Sequence, residues 1–170
     1  MSIFLTETDQ NLEKRFYALK EPENIATLLD VRYSALIYWI YRTPLTARYT
    51  EFIIPKKHGN PRQIATPGTN IKLLQQKLHQ VLQAVYKPKS AVHGFVKGRS
   101  VVTNAEKHVG KKYVFNVDLQ NFFPSINFGR VRGMFIGKPY HLPERVATVL
   151  AHLCCYKGTL PQGAPTSPDI

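Results

Sequence analysis

The sequence has 170 residues, of which 44% are apolar and 20% are charged, a composition typical of one full domain or of a domain with a small appendage. No apolar run approaches the roughly 18 residues of a membrane span. The first ten residues also lack the basic-then-apolar order of a signal peptide. We therefore expect a cytoplasmic protein that does not bind a membrane.

The formal charge of +12 is concentrated in the second part of the chain. Residues 1–50 carry six Lys/Arg and six Asp/Glu, whereas residues 51–170 carry 17 Lys/Arg and five Asp/Glu. A strongly basic body behind a neutral lead indicates a polyanion as the partner of the body. A basic surface that only keeps the protein soluble is the alternative.

The two cysteines, Cys154 and Cys155, are adjacent in the sequence. On a helix their side chains would point about 100° apart, so they would neither pair comfortably nor chelate a metal together. His152 does not complete a zinc pattern, because no second pair of ligands lies at metal spacing. We expect buried thiols in a reducing compartment.

Apolar residues at helical spacing predict three helices in the lead, over residues 12–19, over residues 22–29 after an opening proline, and over residues 33–41. The second and third could instead form a helix-turn-helix that binds DNA. However, residues 35–41 are too apolar on all sides for a helix that faces a groove, which favours packing against the body.

From residue 49 to residue 66 the pattern changes to that of a β-hairpin with a Pro/Gly-rich turn. Such a hairpin would bring Lys56, Lys57 and Arg62 together at one end of a stiff arm. Three cations in this arrangement suit a triphosphate or a nucleic-acid backbone. A solvated charged turn is the alternative.

A long amphipathic helix is predicted from a cap at Thr69 to about Tyr86, with its apolar stripe in the core. The glycines in residues 92–100 permit either close backbone approach to a ligand or a tight turn. A short helix is expected to begin at Ser100 and to end at Gly110.

Residues 113–117 are aromatic and β-branched and predict a short buried strand that leads to Asp118. An acid at this position either caps the next helix or holds a metal at the sheet edge.

Two helices and a loop are predicted after this strand. Asn127 is expected to cap a helix that ends at Ile136, and another helix is predicted over residues 143–156. Prolines and glycines in residues 157–170 predict an extended, preorganised loop.

Five short motifs follow one another along the chain: Ile54-Pro55-Lys56-Lys57 to Arg62-Gln63-Ile64; His93-Gly94-Phe95 with Gly98-Arg99-Ser100; Asn104-Ala105-Glu106-Lys107-His108; Val117-Asp118 to Phe123-Pro124-Ser125; and Leu160-Pro161-Gln162-Gly163 to Ser167-Pro168. Their order and separations resemble reverse transcriptases of the bacterial type. The hairpin is similar to the fingers of these enzymes, and the last two motifs are similar to motifs A and B. The Asn-Ala-x-x-His box resembles that of the retron branch.

The resemblance implies an α+β fold that comprises the fingers and partial palm of a right-hand polymerase behind a helical N-terminal lead. Residues 1–48 would form the lead and residues 49–112 the fingers. Residues 113–170 would form the part of the palm that carries motifs A and B.

The resemblance also implies a role for each matching position. Asp118 would be the catalytic ligand of two magnesium ions, assisted by the carbonyl of Leu119. Phe123 would occupy the place of the aromatic gate that excludes a 2′-hydroxyl. Lys56 and Arg62 would hold the triphosphate of the incoming deoxynucleotide.

Two further groups of residues complete the implied site. Gln162 and Gly163 would line the nucleotide pocket. Contacts with a structured noncoding RNA would come from Lys57, Arg99, Asn104 and His108.

The partners implied by the resemblance are Mg²⁺, deoxynucleoside triphosphates, a structured noncoding RNA and its DNA copy. Retron relatives make a branched, RNA-linked DNA in antiphage defence with an effector protein, so an effector is expected in the bacterial cytoplasm.

The sequence departs from the family in its acidic residues. Two dications about 3.5–4 Å apart need several carboxylates, and none of the other acids is a convincing partner for Asp118. The Tyr-x-Asp-Asp hairpin that follows motif B in the family does not occur in these 170 residues, and neither does a thumb. We therefore expect a piece that is inactive without the rest of the palm and the thumb, and that exposes an apolar palm edge.

The alternative is a noncatalytic RNA-binding scaffold on the same fold. It predicts salt-sensitive RNA binding that does not depend on magnesium.

Overall fold

A computed structural model describes residues 4–55 and 61–170, and within these ranges the fold is the predicted α+β mixture of helices and one small antiparallel sheet. The elements in chain order are α1 (Asp9–Tyr17), α2 (Pro22–Leu28), α3 (Tyr33–Ile37), a π-helical turn (Tyr38–Arg42), α4 (Leu45–Arg48), β1 (Tyr49–Ile54), β2 (Arg62–Pro67), α5 (Thr69–Val85), α6 (Val101–Glu106), α7 (Phe122–Ser125), α8 (Phe128–Ile136), α9 (Glu144–Cys154) and a 3₁₀ turn (Ser167–Asp169).

The three helices predicted in the lead are confirmed. The Thr8 hydroxyl accepts a hydrogen bond from the Asn11 N–H at the start of α1, which satisfies one of the free donors of the first turn. The third helix ends earlier than predicted, because the Thr43 N–H donates to the Tyr38 carbonyl and closes a π-helical turn. Leu36 is buried in the core, so this helix packs against the body as predicted.

The lead and the body share one hydrophobic core. Helix α5 contacts α1 and α9, and α8 packs on α9. Burying a large aliphatic or aromatic side chain contributes roughly 1.5–3 kcal/mol, so this core is the main source of stability. The largest apolar side chains that are fully buried in it are Phe16, Ile25, Leu28, Leu29, Leu36, Ile40, Leu78, Leu82, Phe135, Leu150 and Leu153.

Helix α5 begins at Thr69 as predicted, but Thr69 is not its cap. The N-cap residue is Gly68, whose N–H donates to the Arg48 carbonyl over 2.7 Å. A Cβ at this position would lie 3.1 Å from the Ala47 carbonyl oxygen, so the close approach to the end of α4 favours glycine. A local cap signal was therefore overridden by a contact with a distant segment.

The predicted hairpin is present and is antiparallel, with Tyr49 opposite Pro67 and Ile54 opposite Arg62. A second, smaller apolar cluster fixes its base, where the Tyr49 ring stacks on Tyr156 with centroids 4.2 Å apart. At the solvent side, the Lys157 ammonium binds the carboxylate of Glu51 at 2.9 Å. The hairpin is therefore tied to the segment that follows α9.

The buried strand predicted for residues 113–117 is wrong. These residues form no strand, because no strand of the described ranges lies beside them to pair with. Tyr113 is 83% exposed and Phe115 is 89% exposed. Apolar side chains are therefore exposed here, but they do not form the edge of a sheet.

The remaining elements follow the local signals closely. The Ser100 hydroxyl and Thr103 form a capping box at α6, and the Asn127 side chain accepts a hydrogen bond from the Arg130 N–H at α8. Residues 157–170 are less extended than predicted, since they form turns and end in the 3₁₀ turn. In the described part of the chain, no helix is both long and apolar enough to cross a bilayer.

Candidate active site

A cleft of about 700 Å³ lies where three segments that are distant in sequence meet. The start of β2 forms one side, the segment before and within α7 forms another, and the turn after α9 contributes Gln162. The lining residues are Pro61, Arg62, Gln63, Asp118, Leu119, Gln120, Asn121, Phe122, Phe123, Pro124 and Gln162. The cleft therefore brings together five of the residues predicted from sequence.

Asp118 is exposed at the cleft and does not cap a helix. The N-cap of α7 is Asn121, which adopts a left-handed conformation with φ 53°. Asparagine tolerates this conformation better than most residues. The chain reverses here, so that both Asp118 and Phe123 line the cleft. Of the two roles that the sequence left open for Asp118, capping of the next helix is excluded.

Phe123 is half-buried and packs against the main core, and its ring makes an edge-on contact with Phe122 at 5.4 Å between centroids. The Ser125 hydroxyl donates to the Phe122 carbonyl at 2.6 Å and closes the short helix. An aromatic side chain that is packed on one side and open to the cleft on the other presents a rigid apolar wall to any occupant.

A backbone hydrogen bond joins the strand that carries Arg62 to the turn that carries Gln162. The Ala65 N–H donates to the Gln162 carbonyl over 3.0 Å, so the turn after α9 is attached to β2 three residues beyond Arg62. Arg62 stands at the beginning of β2 and is exposed. An exposed guanidinium on a strand offers a planar fork of donors to phosphate oxygens.

Gly163 lies against β2 and allows the turn after α9 to approach that strand closely. Its φ of 121° disfavours any other residue, and a Cβ would lie 2.9 Å from Ile64 Cγ2 and 3.2 Å from the Ala65 carbonyl oxygen. The cleft lining includes Gln162 and does not include Gly163. The structure thus places Gly163 at the contact between the turn and β2, where its missing side chain lets the two segments meet.

The predicted RNA-contacting residues lie elsewhere. The Arg99 guanidinium donates to the carbonyls of Lys89 and Val92, and it holds that loop closed. Asn104 and His108 are exposed on and after α6. Lys56 and Lys57, which were predicted to hold the triphosphate and the RNA, fall outside the described residues.

The residues present do not make a complete site for a pair of magnesium ions. Asp118 is the one carboxylate among the lining residues of the cleft, and the Leu119 carbonyl could add one oxygen. Across residues 4–55 and 61–170 no group of three or more His, Cys, Asp or Glu side chains could hold a metal ion. Hard dications require several oxygen ligands, so these residues supply a part of such a site.

Sequence reasoning missed two features of this region. Gln63 and Asn121 line the cleft. For Asn121, the tolerance of asparagine for a left-handed backbone was the signal that the sequence offered.

The second feature is a contact of Asp169. Its side chain binds His79 and Gln83, whose spacing of four residues on α5 places them on one helix face. Their common partner could not be found from a local pattern.

Comparison with known proteins agrees with this geometry. A family described as Reverse transcriptase (RNA-dependent DNA polymerase) matches residues 54–170. The chain therefore belongs to the reverse transcriptase family.

The relatives narrow this family to one branch. The chain is 34% identical to Retron Mx65 reverse transcriptase of Myxococcus xanthus, over 87% of this chain and 39% of the relative. It is 36% identical to Retron Ec86 reverse transcriptase of Escherichia coli, over 72% and 38%. It is 32% identical to Retron Mx162 reverse transcriptase of Myxococcus xanthus, over 89% and 35%. The retron resemblance predicted from sequence is confirmed, and the chain spans less than two fifths of each of these relatives.

Proposed function

We propose that these residues form the fingers and part of the palm of an RNA-directed DNA polymerase, and that the cleft binds the incoming deoxynucleoside triphosphate. The observation that carries the proposal is the meeting of Arg62, Asp118 and Gln162 in one cleft, although 100 residues separate the first from the last. A cation for phosphate, a carboxylate for metal and an amide for the base or sugar are the groups that nucleotidyl transfer requires.

Each residue has a proposed task. The Arg62 guanidinium and Lys56 neutralise the triphosphate, and Asp118 with the Leu119 carbonyl offers oxygens to Mg²⁺. When bound, Mg²⁺ supplies the charge neutralisation that phosphoryl transfer needs. Phe123 forms the apolar wall against the sugar.

Further metal ligands are needed, because Asp118 is the single carboxylate of the cleft among the described residues. We propose that they come from a part of the protein outside these 170 residues, and that the thumb does too. These 170 residues alone would then bind nucleotide weakly and would not polymerise.

The partners are proposed from the same family membership. The template is a structured noncoding RNA that is copied into RNA-linked DNA, in the bacterial cytoplasm and in antiphage defence with an effector protein. Asn104 and His108 are exposed and able to contact RNA. Lys57, which falls outside the described residues, is proposed as a further contact on the basis of the sequence motif alone. Arg99 would act through the loop that it holds closed.

A noncatalytic RNA-binding scaffold is the second candidate. The observation that favours it is the lack of a metal-ligand cluster in residues 4–55 and 61–170. RNA binding that is unchanged by Mg²⁺ in the complete protein, together with no primer extension, would identify the scaffold.

The test is primer extension by the complete natural protein that contains these residues. Asp118→Asn keeps the size of the side chain and removes its charge, so we expect a loss of about 100-fold or more in rate. Glu144→Gln is the matched control, because Glu144 is exposed on α9 and pairs with Arg132 away from the cleft. Extension by the Asp118→Asn protein at the rate of this control would refute the proposal.

Phe123 allows a test of substrate choice in the same assay. Phe123→Val removes the ring while keeping an apolar wall, so incorporation of ribonucleotides relative to deoxynucleotides should rise about tenfold or more. Phe115→Val, which alters an exposed ring that does not line the cleft, is the control. An unchanged ratio in the Phe123→Val protein would remove Phe123 from the sugar site.

A further inference from the structure

A buried carboxylate, that of Asp169, lies in the 3₁₀ turn that follows Gln162 along the chain. The Asp169 side chain is 1% exposed, and one of its oxygens lies 2.6 Å from His79 Nδ1. The other oxygen accepts a hydrogen bond from Gln83 Nε2 at 2.6 Å. Both oxygens of a buried acid are thus satisfied by two side chains of α5.

The segment between Asp169 and the cleft is short and internally bonded. The Ser167 hydroxyl donates to the Pro161 carbonyl over 2.7 Å, and the Asp169 N–H donates to the Thr166 carbonyl over 3.1 Å. At its other end the segment is attached to β2 through Gln162. Residues 161–169 therefore form one connected unit with two anchors, β2 on one side and α5 on the other.

We propose that His79, Gln83 and Asp169 form a clamp that sets the position of Gln162 in the nucleotide cleft. The three are positioning residues, since they act through the turn and do not line the cleft. The inference rests on the proposed function of the cleft for its effect on activity, whereas the clamp itself is a structural claim that can be tested without activity.

The chemistry explains why a clamp of this kind holds a position well. Hydrogen bonds to a buried carboxylate are short and directional, and leaving such a group without partners is costly. A purely apolar contact at residue 169 would fill the same space but would tolerate sliding, because the hydrophobic effect is not directional. The spacing of His79 and Gln83 on α5 also fixes the direction from which Asp169 must approach.

The ion pair gives the clamp a dependence on pH. The hydrogen bond that His79 donates to the Asp169 carboxylate raises the pKa of His79 above its ordinary value, and burial partly opposes this. Protonated His79 stabilises the clamp fully when the pH is below the ordinary pKa of histidine. This stabilisation is lost as the pH rises through the raised pKa of His79. The clamp should therefore weaken as the pH rises through the raised pKa of His79.

Other charged groups face this pair from the elements around it. His79 is 39% exposed and lines a second cavity of about 600 Å³. The charged side chains that share this cavity are Glu7, Asp9, Lys97 and Arg99. On the other side, the Asp169 carboxylate faces Tyr140 and Cys154, and its charge helps to raise the pKa of both. The charges of the two acids and the two cations of the cavity nearly cancel, so the hydrogen bond from His79 to the Asp169 carboxylate has the largest effect on the pKa of His79.

Three variants of the complete natural protein separate the possibilities. His79→Asn keeps a hydrogen-bond donor near the position of Nδ1 and removes the titration, whereas His79→Leu and Asp169→Leu remove the hydrogen bond altogether. Glu144→Gln, which breaks an exposed pair between α8 and α9, is the control. The readouts are hydrogen exchange of the peptide that spans residues 160–169 and the KM for deoxynucleotide.

We expect faster exchange in residues 160–169 and a KM raised about three- to tenfold in the two leucine variants, with kcat changed less. His79→Asn should keep the KM within about twofold at pH 6.5. Between pH 6.5 and 8.5 the ratio of the wild-type KM to the His79→Asn KM should rise, because only the wild type loses an ion pair.

Each other result overturns the proposal in a distinguishable way. Unchanged hydrogen exchange of residues 160–169 in the leucine variants would show that the three residues do not hold this segment, whatever the activity. Faster exchange with an unchanged KM would remove its role in positioning Gln162. Faster hydrogen exchange across α8 and α9 as well would show that the three residues stabilise the whole fold and do not specifically position Gln162. If the wild type fails to extend a primer, the proposed function falls, and the exchange data still decide whether the clamp exists.

Discussion

The helical body, here meaning α5, α8 and α9, and the segment of residues 87–121 both carry many apolar side chains. In the first these side chains are buried, and in the second they are exposed. In α5, α8 and α9 every apolar stripe faces another helix, and residues such as Leu78 and Leu150 are wholly buried. In residues 87–121, hereafter the open segment, no residue is buried, and Phe95, Val101 and Phe115 point to solvent. The difference teaches that an apolar pattern becomes a core only where a second surface faces it.

Local hydrogen bonds hold the open segment instead. The Arg99 guanidinium binds carbonyls of the preceding loop, and His93 Nδ1 lies 2.9 Å from the Thr103 hydroxyl at the start of α6. Bonds of this kind define local shape but remove little apolar area from water. The open segment should therefore open more easily than the body.

The largest expected effect comes from truncating matched apolar residues in the two regions. Leu150→Ala leaves a cavity in the body and should lower the free energy of unfolding by about 2–5 kcal/mol. Phe115→Ala in the open segment should change it by less than about 0.5 kcal/mol. Urea denaturation of both proteins measures the difference. A cost for Phe115→Ala near that of Leu150→Ala would show that the open segment has a core of its own.

A second pair of variants tests the contact between the turn after α9 and the hairpin. Gly163→Ala adds a Cβ 2.9 Å from Ile64 and strains a positive φ, so it should destabilise the protein by about 1–3 kcal/mol. Gly133→Ala, in α8, meets nothing within 4 Å and should stabilise by roughly 0.5–1 kcal/mol. Thermal unfolding distinguishes the two, and equal shifts would contradict the close approach of Gly163 to β2.

The helix caps sharpen the comparison further. Asn127→Ala removes the cap of α8, which is packed in the body, and should cost about 1 kcal/mol in the free energy of unfolding. Ser100→Ala removes the same kind of cap from α6, which buries no residue. We expect no change in global unfolding there and faster hydrogen exchange confined to α6. A global loss on Ser100→Ala would contradict the independence of the open segment.

The last prediction concerns the rate at which the two thiols at the end of α9, Cys154 and Cys155, are labelled. Burial raises the pKa of Cys155 to about 11 and raises that of the fully buried Cys154 further. Since the thiolate is the reactive form, labelling of the native protein at pH 8 should be about 100-fold slower than that of a free cysteine, and it should accelerate as the pH rises toward 11. Rapid labelling of both thiols at pH 8 would show that the end of α9 opens.

The sequence predicted the site better than the surroundings of the site. Arg62, Asp118 and Gln162 were identified from motifs that lie on different segments, and the structure brings them to one cleft. Asn121 was missed because its role is a backbone conformation that few local signals reveal. The clamp partner Asp169 was assigned no role, since it lies 90 residues from His79 and no spacing rule connects them.

By itself the sequence determined the helices of the body, the hairpin, the caps at Ser100 and Asn127 and the reverse transcriptase family, because periodicity, caps and motifs are properties of neighbouring residues. Only the tertiary structure decided that residues 113–117 stay exposed and that Gly68 replaces Thr69 as a cap. It also decided that Asp169 is held by α5. Burial, close approach and side-chain pairing depend on a second segment, and a local pattern does not say which segment that is.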